Sequence, residues 1–128
     1  MPQDPRIRVF LADDSVLIRS RVGSLLEAAG ATVVGEAETP LDSIEGILCL
    51  KPDVVVLDAH LRGGSGLQVL RGVHAQAPEI HFVVFTNNAS AAYRTRYLQD
   101  GARQFLDKSS QSGELSQAVM QAARHQTH

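Results

Sequence analysis

The stretch that decides the fold is Asp53-Val54-Val55-Val56-Leu57-Asp58-Ala59-His60-Leu61. Its apolar residues follow one another without alternation, which is typical of a strand covered on both faces in the middle of a parallel sheet. The strand ends on a carboxylate, Asp58. Because an ionised carboxylate is costly to remove from water, we expect a cation or hydrogen-bond donors to meet Asp58 at this end of the strand.

Length and composition favour a single domain over residues 1–128. The hydrophobic fraction of 44% and the charged fraction of 20% are ordinary, and the net charge of −2 gives no reason to expect nucleic acid or an anionic membrane as a partner. The N-terminus lacks a secretory signal pattern, and no apolar run approaches the roughly 20 residues of a membrane span. We therefore predict a cytoplasmic protein, with flexible residues at 1–5 and 125–128. The single cysteine, Cys49, lies in an apolar stretch, which predicts a buried and unreactive thiol.

Outward from the central strand, the chain alternates strands with helices. Further strands are predicted at 7–12, 31–37, 80–86 and 104–106. Apolar residues at helical spacing predict helices at 18–29, 40–50, 67–77, 89–99 and 115–123. The fourth of these has only a weak apolar stripe, so we expect it to be exposed and mobile. A strand and helix unit repeated five times predicts an α/β fold, a doubly wound parallel sheet with helices on both faces.

Polar residues follow four of the five predicted strands: Asp13 and Asp14 follow the first, Asp58 the third, Thr86 the fourth and Lys108 the fifth. Taken singly, each has a plain structural role, because carboxylates and Thr86 can cap helices and Lys108 can be a solvated strand end. Their arrival at the same end of four strands favours a site instead, because ligands of open α/β sheets bind outside the carboxyl ends of the strands.

Such a site needs positive charge. Two carboxylates about 4 Å apart repel by about 4 kcal/mol at an effective dielectric constant of about 20. Mg²⁺ suits them, because it takes one or two carboxylates, keeps several waters and accepts phosphate oxygens. Lys108 adds a fixed second cation. Together these groups could bind a phosphoryl group, with Asp58 able to attack phosphorus as a nucleophile.

Four motifs carry a resemblance: Leu11-Ala12-Asp13-Asp14-Ser15, Val56-Leu57-Asp58, Val84-Phe85-Thr86 and Phe105-Leu106-Asp107-Lys108-Ser109. In their order and spacing they resemble the receiver domain of two-component response regulators, over essentially the whole chain. The resemblance implies a flavodoxin-like five-stranded sheet with strand order 2-1-3-4-5. It also implies phosphorylation of Asp58 by a histidine kinase or a histidine phosphotransfer protein, and a phosphoacceptor regulatory protein rather than an enzyme.

The resemblance assigns roles to individual residues as well. It implies that Asp14, Asp58 and the main-chain carbonyl of His60 bind Mg²⁺, with Asp13 acting largely through water. It also implies that Thr86 and Lys108 contact the phosphoryl oxygens. Thr86 would then move together with the aromatic residue Phe105, whose ring would enter the vacated space.

The implied output face is the fourth helix, fifth strand and fifth helix. On the fourth helix we predict that Tyr93, Arg94, Arg96 and Tyr97 contact a downstream protein target; the alternative is that the tyrosines pack on the domain's own core. The sequence leaves homodimer formation open. No basic recognition helix follows Ala123, so we predict a stand-alone receiver with no direct contact to nucleic acid or membrane.

Arg62 and Asn87 depart from the usual receiver pattern, and together with Asn88 they are candidate modulators of the site. Arg62 and Asn87 could crowd phosphoryl access, which motivates the alternative of a pseudo-receiver that binds partners without phosphorylation. A phosphatase of the haloacid dehalogenase type fits less well, because that class carries Asp-x-Asp where this chain has the adjacent pair Asp13 and Asp14.

Overall fold

The computed structural model describes residues 6–124, so the flexibility predicted for 1–5 and 125–128 lies outside the described residues. Five strands alternate with five helices, as predicted. In chain order they are β1 (Ile7–Ala12), α1 (Val16–Ala28), β2 (Ala31–Ala37), α2 (Pro40–Leu50), β3 (Val54–Leu57), α3 (Gly66–Gln76), β4 (His81–Thr86), α4 (Ala91–Gln99), β5 (Gln104–Asp107) and α5 (Leu115–Arg124). A short antiparallel hairpin, His60–Leu61 with Gly64–Ser65, connects β3 to α3.

The five strands form one parallel sheet in the order β2-β1-β3-β4-β5, which confirms the predicted topology. β3 lies at its centre, and every residue of β3 is buried. Val55 and Leu57 belong to the core under α2 and α3, whereas Val54 and Val56 belong to the core under α1 and α5. Since helices cover both faces, successive side chains of β3 are all apolar.

Hydroxyl side chains begin three of the helices. Ser15, Thr39 and Ser90 each accept a hydrogen bond from the backbone N–H three residues later, at 3.1–3.2 Å. These caps satisfy N–H groups that lack partners within the helix. The Ser15 cap also sets the length of the β1–α1 loop, which leaves Asp13 and Asp14 between the end of β1 and the start of α1.

The prediction of a buried thiol at Cys49 was wrong, because Cys49 is exposed. The helix α2 packs against the sheet and α3 through the side that carries the fully buried Ile47. Cys49 lies two residues further on, about 200° around a helix of 3.6 residues per turn, and therefore faces away from the core. Leu41 is 66% exposed for the same reason. An apolar neighbourhood in sequence does not decide which side of a helix is covered.

The exposure predicted for α4 is confirmed, with one exception. Residues 91–96 are exposed, but Tyr97 is only 2% exposed, and its ring packs 5.9 Å from that of Phe105. Tyr93 is 38% exposed and contacts Tyr97 edge-on. Tyr97 therefore packs in the domain's own core, as the alternative interpretation predicts, whereas Tyr93 lies at the surface.

Burial of Tyr97 has a measurable consequence at alkaline pH. Burial raises the pKa of its phenol to about 12, because the ionised ring would be desolvated. The unfolded value is about 10, so the stability that Tyr97 contributes is complete below about pH 10 and is lost as the pH rises to about 12. At about 1.4 kcal/mol per pKa unit, we expect wild type to lose roughly 3 kcal/mol relative to Tyr97→Phe over this range.

Urea unfolding of the two proteins between about pH 9 and about pH 12 measures this difference. Tyr93→Phe removes a hydroxyl from the half-exposed ring on the same helix and is the matched control. If Tyr97→Phe lost stability in parallel with wild type over the whole range, the phenol of Tyr97 would not be the group that titrates.

None of the helices in residues 6–124 has the length and apolar character that a membrane span requires.

Candidate functional site

The carboxyl ends of β1, β3 and β5 bring together Asp13, Asp58 and Lys108. The Lys108 Nζ lies 2.7 Å from Asp13 Oδ2 and 2.9 Å from Asp58 Oδ2. None of the three side chains is more than 9% exposed. Because β4 lies between β3 and β5, the backbones that carry Asp58 and Lys108 are about 10 Å apart, and the long lysine side chain bridges that distance. The structure therefore brings these three side chains into direct contact.

Lys108 provides the positive charge that the buried carboxylates require. Burial lowers the pKa of Lys108, but hydrogen bonds and charges from Asp13 and Asp58 outweigh it, so the net shift is upward. Burial also raises the pKa of Asp13, and the hydrogen bonds from Lys108 and the Ser15 N–H oppose this only in part. The lysine is therefore a fixed cation at neutral pH.

Backbone groups hold the other carboxylate oxygens. The Ser15 N–H donates to Asp13 Oδ1 at 2.9 Å, and the His60 N–H donates to Asp58 Oδ1 at 3.3 Å. The Asp58 N–H donates to the Ala12 carbonyl at 2.9 Å, which extends the ladder between β1 and β3 into the site. Both carboxylates are thereby oriented by the loops that follow their own strands.

Asp14 completes an acidic cluster with these two residues. Asp13, Asp14 and Asp58 each offer a carboxylate oxygen, and the three atoms lie within 4.8 Å of one another. A set of carboxylate oxygens is the kind of ligand that hard divalent cations such as Mg²⁺ prefer, so the residues present fit such an ion. Asp14 is exposed, whereas the other two are buried, so the cluster opens to solvent on the Asp14 side. The role of the His60 carbonyl as a ligand stays a prediction.

Thr86 and Phe105 lie on the neighbouring strands β4 and β5. Thr86 is 1% exposed, and its Oγ1 accepts a hydrogen bond from the Asn88 N–H at 3.2 Å. Phe105 is 3% exposed. Its carbonyl accepts a hydrogen bond from the Arg94 guanidinium at 3.0 Å, which ties α4 to β5. Thr86 is therefore linked to the β4–α4 loop, and Phe105 to α4.

The candidate modulators lie in the segments that follow β3 and β4. Asn87 is exposed and Asn88 is half-buried. Arg62 pairs with Glu38 through its guanidinium at 2.7 Å, and its backbone N–H donates to the Glu38 carbonyl at 2.8 Å. These bonds join the loop after Asp58 to the loop after β2. The structure thus gives the Arg62 guanidinium a carboxylate partner of its own, Glu38.

Sequence reasoning missed Arg19, which lies off the apolar stripe of α1. Its side chain is only 11% exposed. The guanidinium donates to the Asp13 carbonyl at 2.5 Å and to Glu36 Oε1 at 2.8 Å. Its spacing in the sequence could have indicated this contact. Arg19 lies one helical turn after the cap Ser15, and side chains on a helix tilt toward its N-terminus, so that of Arg19 reaches back to the β1–α1 loop.

Comparisons with known proteins agree with this geometry. The family model described as the response regulator receiver domain matches residues 9–120. The response regulator GacA of Pseudomonas aeruginosa is 34% identical over 116 residues, which make up 90% of this chain and 54% of that protein. The probable transcriptional regulatory protein NarL of Mycobacterium tuberculosis is 33% identical over 124 residues, or 96% and 57% of the two chains. This chain therefore spans about half the length of the curated relatives it matches.

Solved structures show the same likeness. The signal receiver domain of the putative response regulator NarL from Mycobacterium tuberculosis superposes with a TM-score of 0.88 at 31% identity. The superposition covers 94% of this chain and 98% of that domain. With a family model matched over residues 9–120 of the 128, and the same fold in a relative of this identity, the chain belongs to the family of response regulator receiver domains.

Proposed function

We propose that this receiver domain is a signalling switch that accepts a phosphoryl group on Asp58 from a phosphohistidine donor. The observation that carries the proposal is the setting of Asp58. Its carboxylate is buried at the end of the central strand, bonded to Lys108 at 2.9 Å and clustered with Asp13 and Asp14. A buried carboxylate beside a fixed cation and two further carboxylates that can bind a metal ion is suited to react with an anionic group, whereas packing alone would not need these charges.

In the proposed transfer, a carboxylate oxygen of Asp58 attacks phosphorus. The phosphorus–nitrogen bond of the donor breaks, its electron pair stays on the imidazole nitrogen, and an acyl phosphate forms on Asp58. Lys108 already binds Asp58 Oδ2, so its ammonium lies beside the position that the phosphoryl oxygens would take. The hydroxyl of Thr86, on the adjacent strand β4, would supply a hydrogen bond to the same oxygens.

Asp13, Asp14 and Asp58 would hold Mg²⁺, with the His60 carbonyl as a further ligand. When bound, the ion would neutralise charge on the phosphoryl oxygens during transfer. This chain's own carboxylates contribute the negative oxygens for that ion, and Lys108 keeps the two buried ones from repelling each other in its absence.

Phosphorylation would reach the surface through Thr86. A phosphoryl group adds about −1.5 to −2 charge and three strong acceptors, which would compete for the Thr86 hydroxyl. That hydroxyl now accepts from the Asn88 N–H, so its movement would release the β4–α4 loop. Phe105 is already buried against Tyr97, so the ring needs no inward rotation to become buried. We therefore propose that the loop and α4, rather than burial of Phe105, transmit the change.

The proposed partners follow from this chemistry. The donor would be a histidine kinase or a histidine phosphotransfer protein, and the downstream protein would dock on α4, β5 and α5. Tyr93, Arg94 and Arg96 are exposed on α4 and present an aromatic and basic surface to such a target. A single receiver domain over residues 1–128, a cytoplasmic location and the lack of direct nucleic-acid contact all stay predictions.

Incubation with acetyl phosphate and Mg²⁺, followed by intact mass measurement, tests the proposal. Wild type should gain the mass of one phosphoryl group, and a chelator should prevent the gain. Asp58→Asn should gain nothing. Asp53→Asn, at the other end of the same strand, is the matched control and should be phosphorylated like wild type, because an amide oxygen can still accept from the Arg8 N–H.

The alternatives give different outcomes. An unmodified wild-type protein, also in the presence of a phosphorylated histidine donor, would favour the pseudo-receiver. Sustained turnover of simple phosphomonoesters would favour a phosphatase. An adduct that persists in Asp58→Asn would show that another residue is the acceptor.

A further inference from the structure

We infer that Arg19 is a positioning residue for the acidic cluster: its guanidinium clamps the Asp13–Asp14 peptide, and this clamp sets the affinity of the site for a divalent cation. The inference rests on the proposed function for its metal, but the clamp itself can be tested without metal.

Bonds to Asp13 come from four directions. Its N–H donates to the Ala37 carbonyl at 3.1 Å, and its two carboxylate oxygens accept from the Ser15 N–H and from Lys108. Its carbonyl accepts from Arg19 at 2.5 Å. That carbonyl belongs to the peptide that leads into Asp14, so Arg19 holds the one group of Asp13 that orients the next carboxylate.

The side chain of Arg19 joins three parts of the fold. It starts on α1, reaches the β1–α1 loop at the Asp13 carbonyl and ends on Glu36 of β2. A guanidinium can do this because its donors point in fixed directions in one plane, whereas an ammonium is a point charge on a flexible chain. At 11% exposure, the pair with Glu36 is shielded on the arginine side and is stronger than a fully solvated pair.

The role of Arg19 is geometric. Glu36 lies 2.8 Å away and balances its charge, so the pair adds little net charge to the acidic cluster. What it adds is a fixed peptide orientation before any cation arrives. Without the clamp, the Asp13–Asp14 peptide could rotate, and the carboxylate of Asp14 would have to be ordered at the expense of metal binding.

Calorimetric titration of the full chain with Mg²⁺ tests this inference. Groups that orient metal ligands typically change affinity by about 10-fold or more when removed, so we expect Arg19→Met to bind Mg²⁺ about 10-fold more weakly than wild type. Arg19→Lys should recover only part of this loss. Arg21→Met makes the same change at an exposed arginine of the same helix and should bind like wild type. Equal affinities for Arg19→Met and Arg21→Met would overturn the inference.

Amide hydrogen exchange in the metal-free proteins provides the second readout. The Ser15 N–H, bonded to Asp13 Oδ1, should exchange faster in Arg19→Met, while amides of β3 keep the protection seen in wild type. If Arg19→Met does not fold, Glu36→Ala releases the guanidinium from its far partner and should show the same changes in smaller degree. A wild type that binds no Mg²⁺ would refute the proposed metal site, and unchanged exchange at Ser15 would refute the clamp itself.

Discussion

Replacing Lys108 with methionine is expected to lower the free energy of unfolding by about 3 kcal/mol at neutral pH in the absence of Mg²⁺. The lysine is the counter-charge of Asp13 and Asp58, and none of the three side chains is more than 9% exposed. Its removal leaves two buried carboxylates facing each other, and an uncompensated buried charge costs far more than a surface ion pair contributes. Urea unfolding of wild type and Lys108→Met measures the loss.

Two conditions should reduce this loss if its cause is electrostatic. Mg²⁺ should stabilise Lys108→Met more than wild type, because a cation bound by the carboxylates replaces the missing charge. Lowering the pH should also reduce the stability difference between wild type and Lys108→Met. Burial already raises the pKa of Asp13 in the folded protein, so its charge costs stability at neutral pH, and this cost disappears as the carboxyl takes up a proton. We therefore expect the difference between the two proteins to shrink from neutral pH down to about pH 4.

The chain's other lysine is the control for this experiment. Lys51 is exposed, and Lys51→Met should change stability by less than about 0.5 kcal/mol. If Lys108→Met were as stable as Lys51→Met without Mg²⁺, the bonds from Lys108 to Asp13 and Asp58 would not hold the carboxylates in the folded protein.

Gly66→Ala is expected to cost about 3 kcal/mol, at the upper end of the usual range for overpacking. A Cβ at position 66 would overlap the carbonyl oxygen of Asp58 and lie 3.2 Å from the Cα of Ala59. Both are backbone atoms of the segment that carries the Asp58 carboxylate, so neither can move without displacing it. The Gly66 N–H also donates to the Ala59 carbonyl at 2.8 Å, which holds the two segments together. Helix propensity alone would predict the opposite sign, because alanine is a better helix former.

The same variant should also accept phosphoryl groups more slowly than wild type, since the displaced backbone belongs to Asp58. Unfolding in urea and the rate of adduct formation with acetyl phosphate measure the two effects. Gly113→Ala is the matched control, because a Cβ there meets no atom within 4 Å and should change stability by less than about 0.5 kcal/mol. Equal unfolding midpoints for the two alanine variants would contradict the proposed clash.

Much of the site could be predicted because strand ends are local features of the chain. Asp13, Asp14, Asp58, Thr86 and Lys108 each follow an apolar run, and parallel strands bring such ends to one edge. The repulsion between the carboxylates predicts a positive charge among them, but it does not identify the group that carries the charge. The structure places the Lys108 ammonium there. The ion pair of Arg19 with Glu36 could not be predicted, because Glu36 lies 17 residues away and the bond depends on how α1 packs beside β2.

The amino-acid sequence by itself determined the alternation of strands and helices, the central position of β3 and the polar residues at the carboxyl ends of the strands. These follow from hydrophobic periodicity and the geometry of parallel sheets, which act over short stretches. Only the tertiary structure decided that Cys49 faces solvent, that Tyr97 enters the core, and that Gly66 rather than Gly63 meets the backbone of Asp58. Each of these depends on which distant segment covers a residue, and packing between segments, not local pattern, determines that.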